Sequence, residues 1–237
     1  MTTRLSQMPK PDAGQYAGKR KLFLVPNFMV GPDAPEEVQQ LLDGYWSEVR
    51  DHINNLERSL GTVTHVFHEM VFGDGEEGMG LLQMLNPKGC TFIQALCGSG
   101  ASLAATEDRA LVEENADWQR CISIGLASEK VRKLALDGYQ ESTRLRWEHI
   151  ETRLDETLKE GESGALFVRE DHRIQFPPDV QVFYVAPPSL DSLKRWINNQ
   201  FRPPVRADEG PTENQEEPEQ STPEEEAGES GLPNETD

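Results

Sequence analysis

The fold is decided by residues 21–60, which read KLFLVPNFMVGPDAPEEVQQLLDGYWSEVRDHINNLERSL. The apolar run from Lys21 to Phe28 is short and contains a proline, which is typical of a buried strand that ends in a turn. Apolar residues then recur every three or four positions until Gly61, and this period predicts one long amphipathic helix. A buried strand that leads into such a helix is the repeating unit of an α/β sheet.

Further strand patterns follow along the chain. Val63 to Phe72 is rich in β-branched and aromatic residues, and Cys90 to Cys97 (CTFIQALC) is an apolar run that leads into a glycine turn. Ala165 to Val168 and Arg173 to Phe176 lie close enough to form a hairpin, and Val180 to Ala186 is apolar on both faces, as interior strands are.

Helical periods separate these strands. One long helix is predicted at about 128–160, and a shorter one begins at Ser189. The succession predicts an α/β fold of three layers, with a mostly parallel sheet, flanking helices, the long helix, and a C-terminal hairpin plus helix.

Composition divides the chain into three segments. Residues 1–20 are predicted to be a flexible basic segment, and residues 21–202 a single α/β domain. Residues 203–237 hold twelve acidic residues and one basic residue, Arg206, with six prolines and almost no large apolar residues. Such a segment buries too little surface to offset its ordering entropy, so it is predicted to be a disordered acidic tail.

Composition also argues against several classes of function. No apolar stretch approaches the roughly 18 residues of a membrane helix, and no signal-peptide core precedes the domain. Cys90, Cys97 and Cys121 have no CxxC spacing, which favours buried thiols in a reducing, cytoplasmic setting. The formal charge of −19 argues against direct nucleic-acid binding, although Arg132, Lys133, Arg144, Arg146 and Arg153 form a possible basic stripe on the long helix.

Candidate site residues are expected at strand ends, because ligands of open α/β sheets gather outside the carboxyl ends of the strands. His68 near the end of the second strand, Glu107 at a helix start, and Glu170 and His172 in the turn after a buried strand are the candidate acid–base residues. Each has an ordinary alternative, since strand-end hydrogen bonding, helix capping and hairpin tips also select polar residues.

A second candidate is the turn Gly98, Ser99 and Gly100. A small-residue turn between a strand and a helix presents backbone N–H groups to an anion, which makes these residues candidates for ligand binding. The turn lacks the complete Walker and GxGxxG spacings, so an ordinary strand-to-helix connection is the alternative. The sequence predicts no metal site and names no cofactor.

The C-terminal third carries two resemblances. Residues 150–197, which include GALFVREDHRIQFPPDVQVFYVAPPSLDSLKRWI, resemble the tail of a group of uncharacterised bacterial α/β proteins. The long helix followed by GALFVRED and a further strand is similar to the helix–GAxxLLxxED–strand segment in the third domain of archaeo-eukaryotic peptide-release factors. That resemblance implies a translation-associated module that binds RNA and protein. The chain has no GGQ tripeptide, so peptidyl-tRNA hydrolysis by that motif is not implied.

Two functions of different classes are therefore expected. The first is a binding or regulatory α/β module of unknown ligand, with a protein as its partner. The second is a hydrolase or transferase that uses acidic residues and histidine at the strand ends. The second hypothesis requires His68, Glu107, Glu170 and His172 to converge on one pocket. The oligomeric state stays open.

Overall fold

The computed structural model describes residues 13–31 and 33–200, so the predicted acidic tail at 203–237 lies outside the described residues. Most of the predicted flexible segment 1–20 lies outside them as well. The described chain begins with a 3-10 turn at Ala13–Tyr16. The Tyr16 ring packs edge-on against Phe183 with 5.1 Å between ring centroids, so ordered structure starts ahead of residue 21.

A five-stranded sheet lies at the centre of the described chain. Its strands are β1 (Arg20–Pro26), β2 (Val63–His68), β3 (Ser102–Leu103), β4 (Ser163–Val168) and β5 (Val180–Tyr184). They are ordered β3-β2-β4-β1-β5, and every pair of neighbours is parallel. The helices are α1 (Glu36–Leu60), α2 (Gly75–Leu85), α3 (Pro87–Gly98), α4 (Arg109–Ser123), α5 (Glu129–Thr157) and α6 (Ser189–Gln200). The predicted α/β class with a mostly parallel sheet is confirmed.

Two hydrophobic layers enclose the sheet. Phe23 and Val25 face the layer formed by α1, α2, α3 and α6, whereas Leu22 and Leu24 face α5. This alternation follows from the two-residue period of a strand. The central strand β4 is buried at all six positions, which is why Ser163–Val168 is almost continuously apolar.

The predicted third strand at Cys90–Cys97 is wrong, because these residues lie within α3. Pro87 stands in the first turn of the helix, and the Asn86 side chain accepts a hydrogen bond from the Gly89 N–H. Both features are helix-start signals. The short apolar run is compatible with either period, and the sheet takes its edge strand β3 from Ser102–Leu103 instead.

The predicted C-terminal hairpin is not formed. Residues 173–176 have no strand structure, and Ile174 packs under α5 in the core. The prediction of β5 as an interior strand is also wrong, since β5 is at the edge of the sheet. Its side chains Val182 and Tyr184 are 38 % and 50 % exposed.

The long helix is confirmed as α5. The hydroxyl of Ser128 accepts a hydrogen bond from the Val131 N–H and caps its start. Helix α5 packs closely against α4. At Gly138 of α5, an added Cβ would lie 2.5 Å from the Trp118 ring of α4. Among the described residues, no helix is both long enough and apolar enough to span a membrane.

Candidate functional site

A buried polar cluster lies where β1, β2 and β4 end. Asn27, Glu69 and Arg169 each follow one of these strands, and parallel strands bring their carboxyl ends to one edge. Asn27 Nδ2 donates to Glu69 Oε1 at 3.0 Å, and Arg169 Nε donates to Glu69 Oε2 at 3.1 Å. Asn86 Nδ2 extends the cluster by donating to Asn27 Oδ1 at 2.9 Å. Both carboxylate oxygens of Glu69 therefore have a donor.

The electrostatics of Glu69 and Arg169 follow from their burial. Burial raises the pKa of Glu69, and Arg169 and Asn27 offset only part of that rise. Burial lowers the pKa of Arg169, but the neighbouring acidic groups, chiefly the Glu69 carboxylate and then Asp171, more than offset this and the net pKa is raised. Arg169 therefore stays cationic, and Glu69 holds one side of its guanidinium in place.

A second buried ion pair joins α5 to the same edge. Arg146 Nε and Nη2 donate to Glu107 Oε2 and Oε1 at 2.6 and 2.5 Å. The Met70 N–H donates to Glu107 Oε1 at 2.8 Å, and Arg146 Nη1 donates to Asn115 Oδ1 at 2.8 Å. The side chains of Arg146 and Glu107 are 6 % and 0 % exposed. This pair anchors the long helix, and its carboxylate is enclosed.

Met70 connects the two clusters and has an unusual backbone conformation. Its φ of 69° lies in the left-handed region, which is uncommon for a residue other than glycine. The Met70 N–H reaches Glu107, while the preceding residue is Glu69. Such conformations persist where surrounding contacts enforce them, and they cluster at functional sites.

A half-open cavity of about 660 Å³ adjoins Arg169 between α5 and the loop after β4. Its lining comprises Tyr139, Gln140, Thr143, Arg144, Trp147, Glu148, Glu151, Arg169, Asp171, Arg173 and Gln175. This volume falls within the range of small-molecule sites. Arg169 Nε is bonded to Glu69, whereas its two terminal nitrogens have no protein acceptor within the described part of the chain.

The other charges of this cavity differ in their availability. Arg144 is engaged by Glu141 and Glu148 on its own helix. Arg173 is exposed and has no ion pair with any described residue. The carboxylates of Glu151 and Asp171 line the same cavity. The cavity therefore presents available groups of both charges beside the Trp147 ring.

His68, a predicted catalytic residue, is fully buried. Its Nδ1 contacts the Glu69 carbonyl oxygen, and its ring stacks on Phe167 with 6.1 Å between centroids. Its Nε2 has no partner in the described chain, and burial lowers the pKa of His68 to about 4. Neither His68 nor Glu107 lines the cavity beside Arg169.

Glu170 and His172 have separate partners. Glu170 Oε1 accepts from the Tyr184 hydroxyl and from Lys194 Nζ, each at 2.6 Å. His172 packs its ring against Phe176, and its Nδ1 accepts from the Ile174 N–H at 3.3 Å. No hydrogen bond or ion pair between described residues joins any two of His68, Glu107, Glu170 and His172, and a catalytic role for them stays a prediction.

The turn Gly98, Ser99 and Gly100 lies at the end of helix α3, whose last residue is Gly98. Ser99 caps the end of α3, with its N–H donating to the Ala95 carbonyl, and Gly100 has a φ of +110°. A helix C-terminus presents carbonyl groups, which repel anions. The strand predicted before this turn is a helix, and the carbonyl groups at its C-terminal end do not favour an anion there.

Sequence reasoning missed the members of the cluster that stand alone in the sequence. Asn27 and Asn86 carry no motif, and the available signal was only the position of Asn27 directly after a strand.

The basic stripe on the long helix is not continuous, because Arg146 is buried and Arg132 and Arg144 are ion-paired. The described residues contain no group of three or more His, Cys, Asp or Glu that suits a metal ion.

No protein-family model, curated protein or solved structure gave a match to this chain. The resemblances to bacterial α/β proteins and to peptide-release factors stay predictions.

Proposed function

We propose that this domain is a binding module for a small zwitterionic molecule, which lies in the cavity between α5 and the loop after β4. The observation that carries the proposal is the state of Arg169. Arg169 lines the cavity, its Nε is fixed by a buried carboxylate, and no hydrogen bond or ion pair joins its terminal nitrogens to another described residue. An arginine held in this way is suited to bind a carboxylate through two parallel hydrogen bonds.

The charge balance favours a zwitterion over a simple anion. Glu151 and Asp171 also line the cavity, and Asp171 Oδ1 lies 4.0 Å from Arg169 Nε. These carboxylates repel a purely anionic ligand and attract an ammonium group placed a few ångströms from the bound carboxylate. The Trp147 and Tyr139 rings offer apolar surface for the remainder of the molecule.

Isothermal titration calorimetry tests the ligand class with three matched probes: tryptophan, tryptamine, which lacks the carboxylate, and indole-3-propionate, which lacks the ammonium group. We expect tryptophan to bind most tightly, since it satisfies both charges. Arg169→Gln should weaken its binding by roughly ten- to a hundredfold, the effect of losing hydrogen bonds between charged groups.

Two further variants make this experiment selective. Arg169→Lys keeps the charge without the planar fork and should bind with intermediate affinity. Arg144→Gln alters a lining arginine that is already ion-paired, so it should leave the affinity nearly unchanged. Absence of heat with all three probes, or equal binding by wild type and Arg169→Gln, would show that the proposed ligand class is wrong.

The second candidate, a hydrolase or transferase, is favoured by one observation. Glu69 is a buried acid at a strand end with a raised pKa, as catalytic acids often are. Its two oxygens, however, are already hydrogen-bonded to Asn27 and Arg169. Mass spectrometry of tryptophan amide and tryptophan ethyl ester after incubation separates the two functions. Unchanged compounds support binding, whereas cleavage that Glu69→Gln abolishes would establish an enzyme.

A further inference from the structure

The open side of β5 presents free backbone groups. The Val185 N–H donates to the Leu24 carbonyl of β1 at 2.9 Å. Because backbone groups of alternate residues in a strand point to the same side, Phe183 also faces β1. The N–H and C=O groups of Val182 and Tyr184 therefore point away from β1, on the side where no other described strand pairs with β5. Val180 faces the same side, but its N–H already donates to the Pro177 carbonyl at 3.0 Å, so only its carbonyl group is left for a further strand.

Within β5 itself, charge, proline and a bulge, three features that usually prevent pairing, are missing. The strand sequence VQVFY contains no charged residue and no proline, and its register with β1 has no bulge. Val182 and Tyr184 lie on the same face as Leu22 and Leu24, and they are 38 % and 50 % exposed. An apolar, uncharged edge strand is a template for addition of another strand.

We propose that β5 pairs antiparallel with β5 of a second copy of this chain, which joins the two sheets across a two-fold axis at Val182. In this register Val182 lies opposite itself, Val180 opposite Tyr184, and Gln181 opposite Phe183. The first two pairs are apolar, and the pairing of an aromatic with a β-branched residue is favourable across antiparallel strands. The strand is therefore complementary to itself.

The surroundings of β5 also favour a second copy. Pro177 and Pro178 precede the strand, and Pro187 and Pro188 follow it, so the new ladder is limited to this short segment and its register is defined. A two-fold antiparallel arrangement closes on itself, whereas head-to-tail addition would leave another open edge and build a filament. The dimer is the closed product that the edge allows.

Sedimentation velocity of the full chain over a range of concentrations tests the dimer. The wild-type mass should rise from monomer towards twice the monomer as concentration increases. Val182→Pro should stay monomeric because it removes an outward N–H, while the hydrogen bonds to β1 come from the alternate residues. Val182→Lys supplies a second variant that places charge at the two-fold axis, and circular dichroism confirms folding of both.

Two control variants define the interface. Ser59→Lys adds the same charge at an exposed position of α1 and should dimerise like wild type. Arg169→Gln should dimerise as well, so failure of the dimer and failure of the ligand site are distinguishable. A wild type that stays monomeric at every concentration would overturn the proposal. So would a dimer that survives both Val182 variants but dissociates with Leu134→Lys, because exposed Leu134 lies on α5 far along the chain from β5.

Discussion

Removal of one charge from the buried pair Arg146 and Glu107 should be among the most destabilising single changes in the domain. Glu107→Gln preserves side-chain shape but leaves the Arg146 guanidinium buried without a counter-ion. The Glu107 side chain is 0 % exposed and Arg146 is 6 % exposed, so water does not compensate for the lost charge. Breaking one partner of a buried ion pair costs about 3–5 kcal/mol.

The contacts of this pair indicate the upper half of that range. Glu107 accepts two hydrogen bonds from Arg146 and one from the Met70 N–H, and a glutamine has only one acceptor oxygen. Small domains are stable by about 5–15 kcal/mol, so the variant keeps only part of its stability. Urea unfolding followed by tryptophan fluorescence measures the change.

Two further variants test the reasoning. Glu107→Gln combined with Arg146→Met removes both charges and should recover part of the lost free energy of unfolding, because no uncompensated charge stays buried. Arg144→Gln on the same helix breaks an exposed ion pair and should be far less destabilising. If Glu107→Gln and Arg144→Gln reduce stability equally, burial of the Arg146–Glu107 pair does not have the energetic role inferred here.

Two other consequences can be measured. The pKa of His68 in the folded chain, about 4, is below the ordinary histidine value of 6.5, so the unfolded chain binds the proton first. Stability therefore falls as the pH drops from 6.5 to 4, by about 3 kcal/mol in full. The raised pKa of Glu69 has the opposite effect on stability as the pH falls, and the His68→Phe variant retains it. This variant should therefore lose less stability than wild type at acidic pH when urea unfolding is measured at a series of pH values. An identical pH profile for both proteins would show that His68 does not cause the acid dependence. Gly138→Ala forces a Cβ against Trp118 and should cost about 1–3 kcal/mol. Gly44→Ala in α1 meets no atom within 4 Å and should stabilise by about 0.5–1 kcal/mol in a thermal melt; equal effects of the two substitutions would contradict this packing.

The candidate site was predictable only in its general position. A parallel sheet implies that strand ends share an edge, and Asn27, Glu69 and Arg169 do meet there. The partners of each group were not predictable, since Asn86, which caps α3, and Arg146 on α5 reach the edge from segments distant in the sequence. His68, expected to act in a pocket, is enclosed, because strand alternation directs its side chain into the core next to Phe167.

Local periodicity was sufficient for α1 and α5, because a long helix repeats its period over many turns, and the short apolar runs of β1 and β4 were also correctly predicted as strands of an α/β fold. It was insufficient for α3 and β5. The run Cys90–Cys97 fits a short strand as well as a helix, and an edge strand has the same composition as an interior one. The strand order, the exposed face of β5 and the hydrogen bonds around Glu69 arise from contacts between distant segments, which depend on how the elements pack in three dimensions.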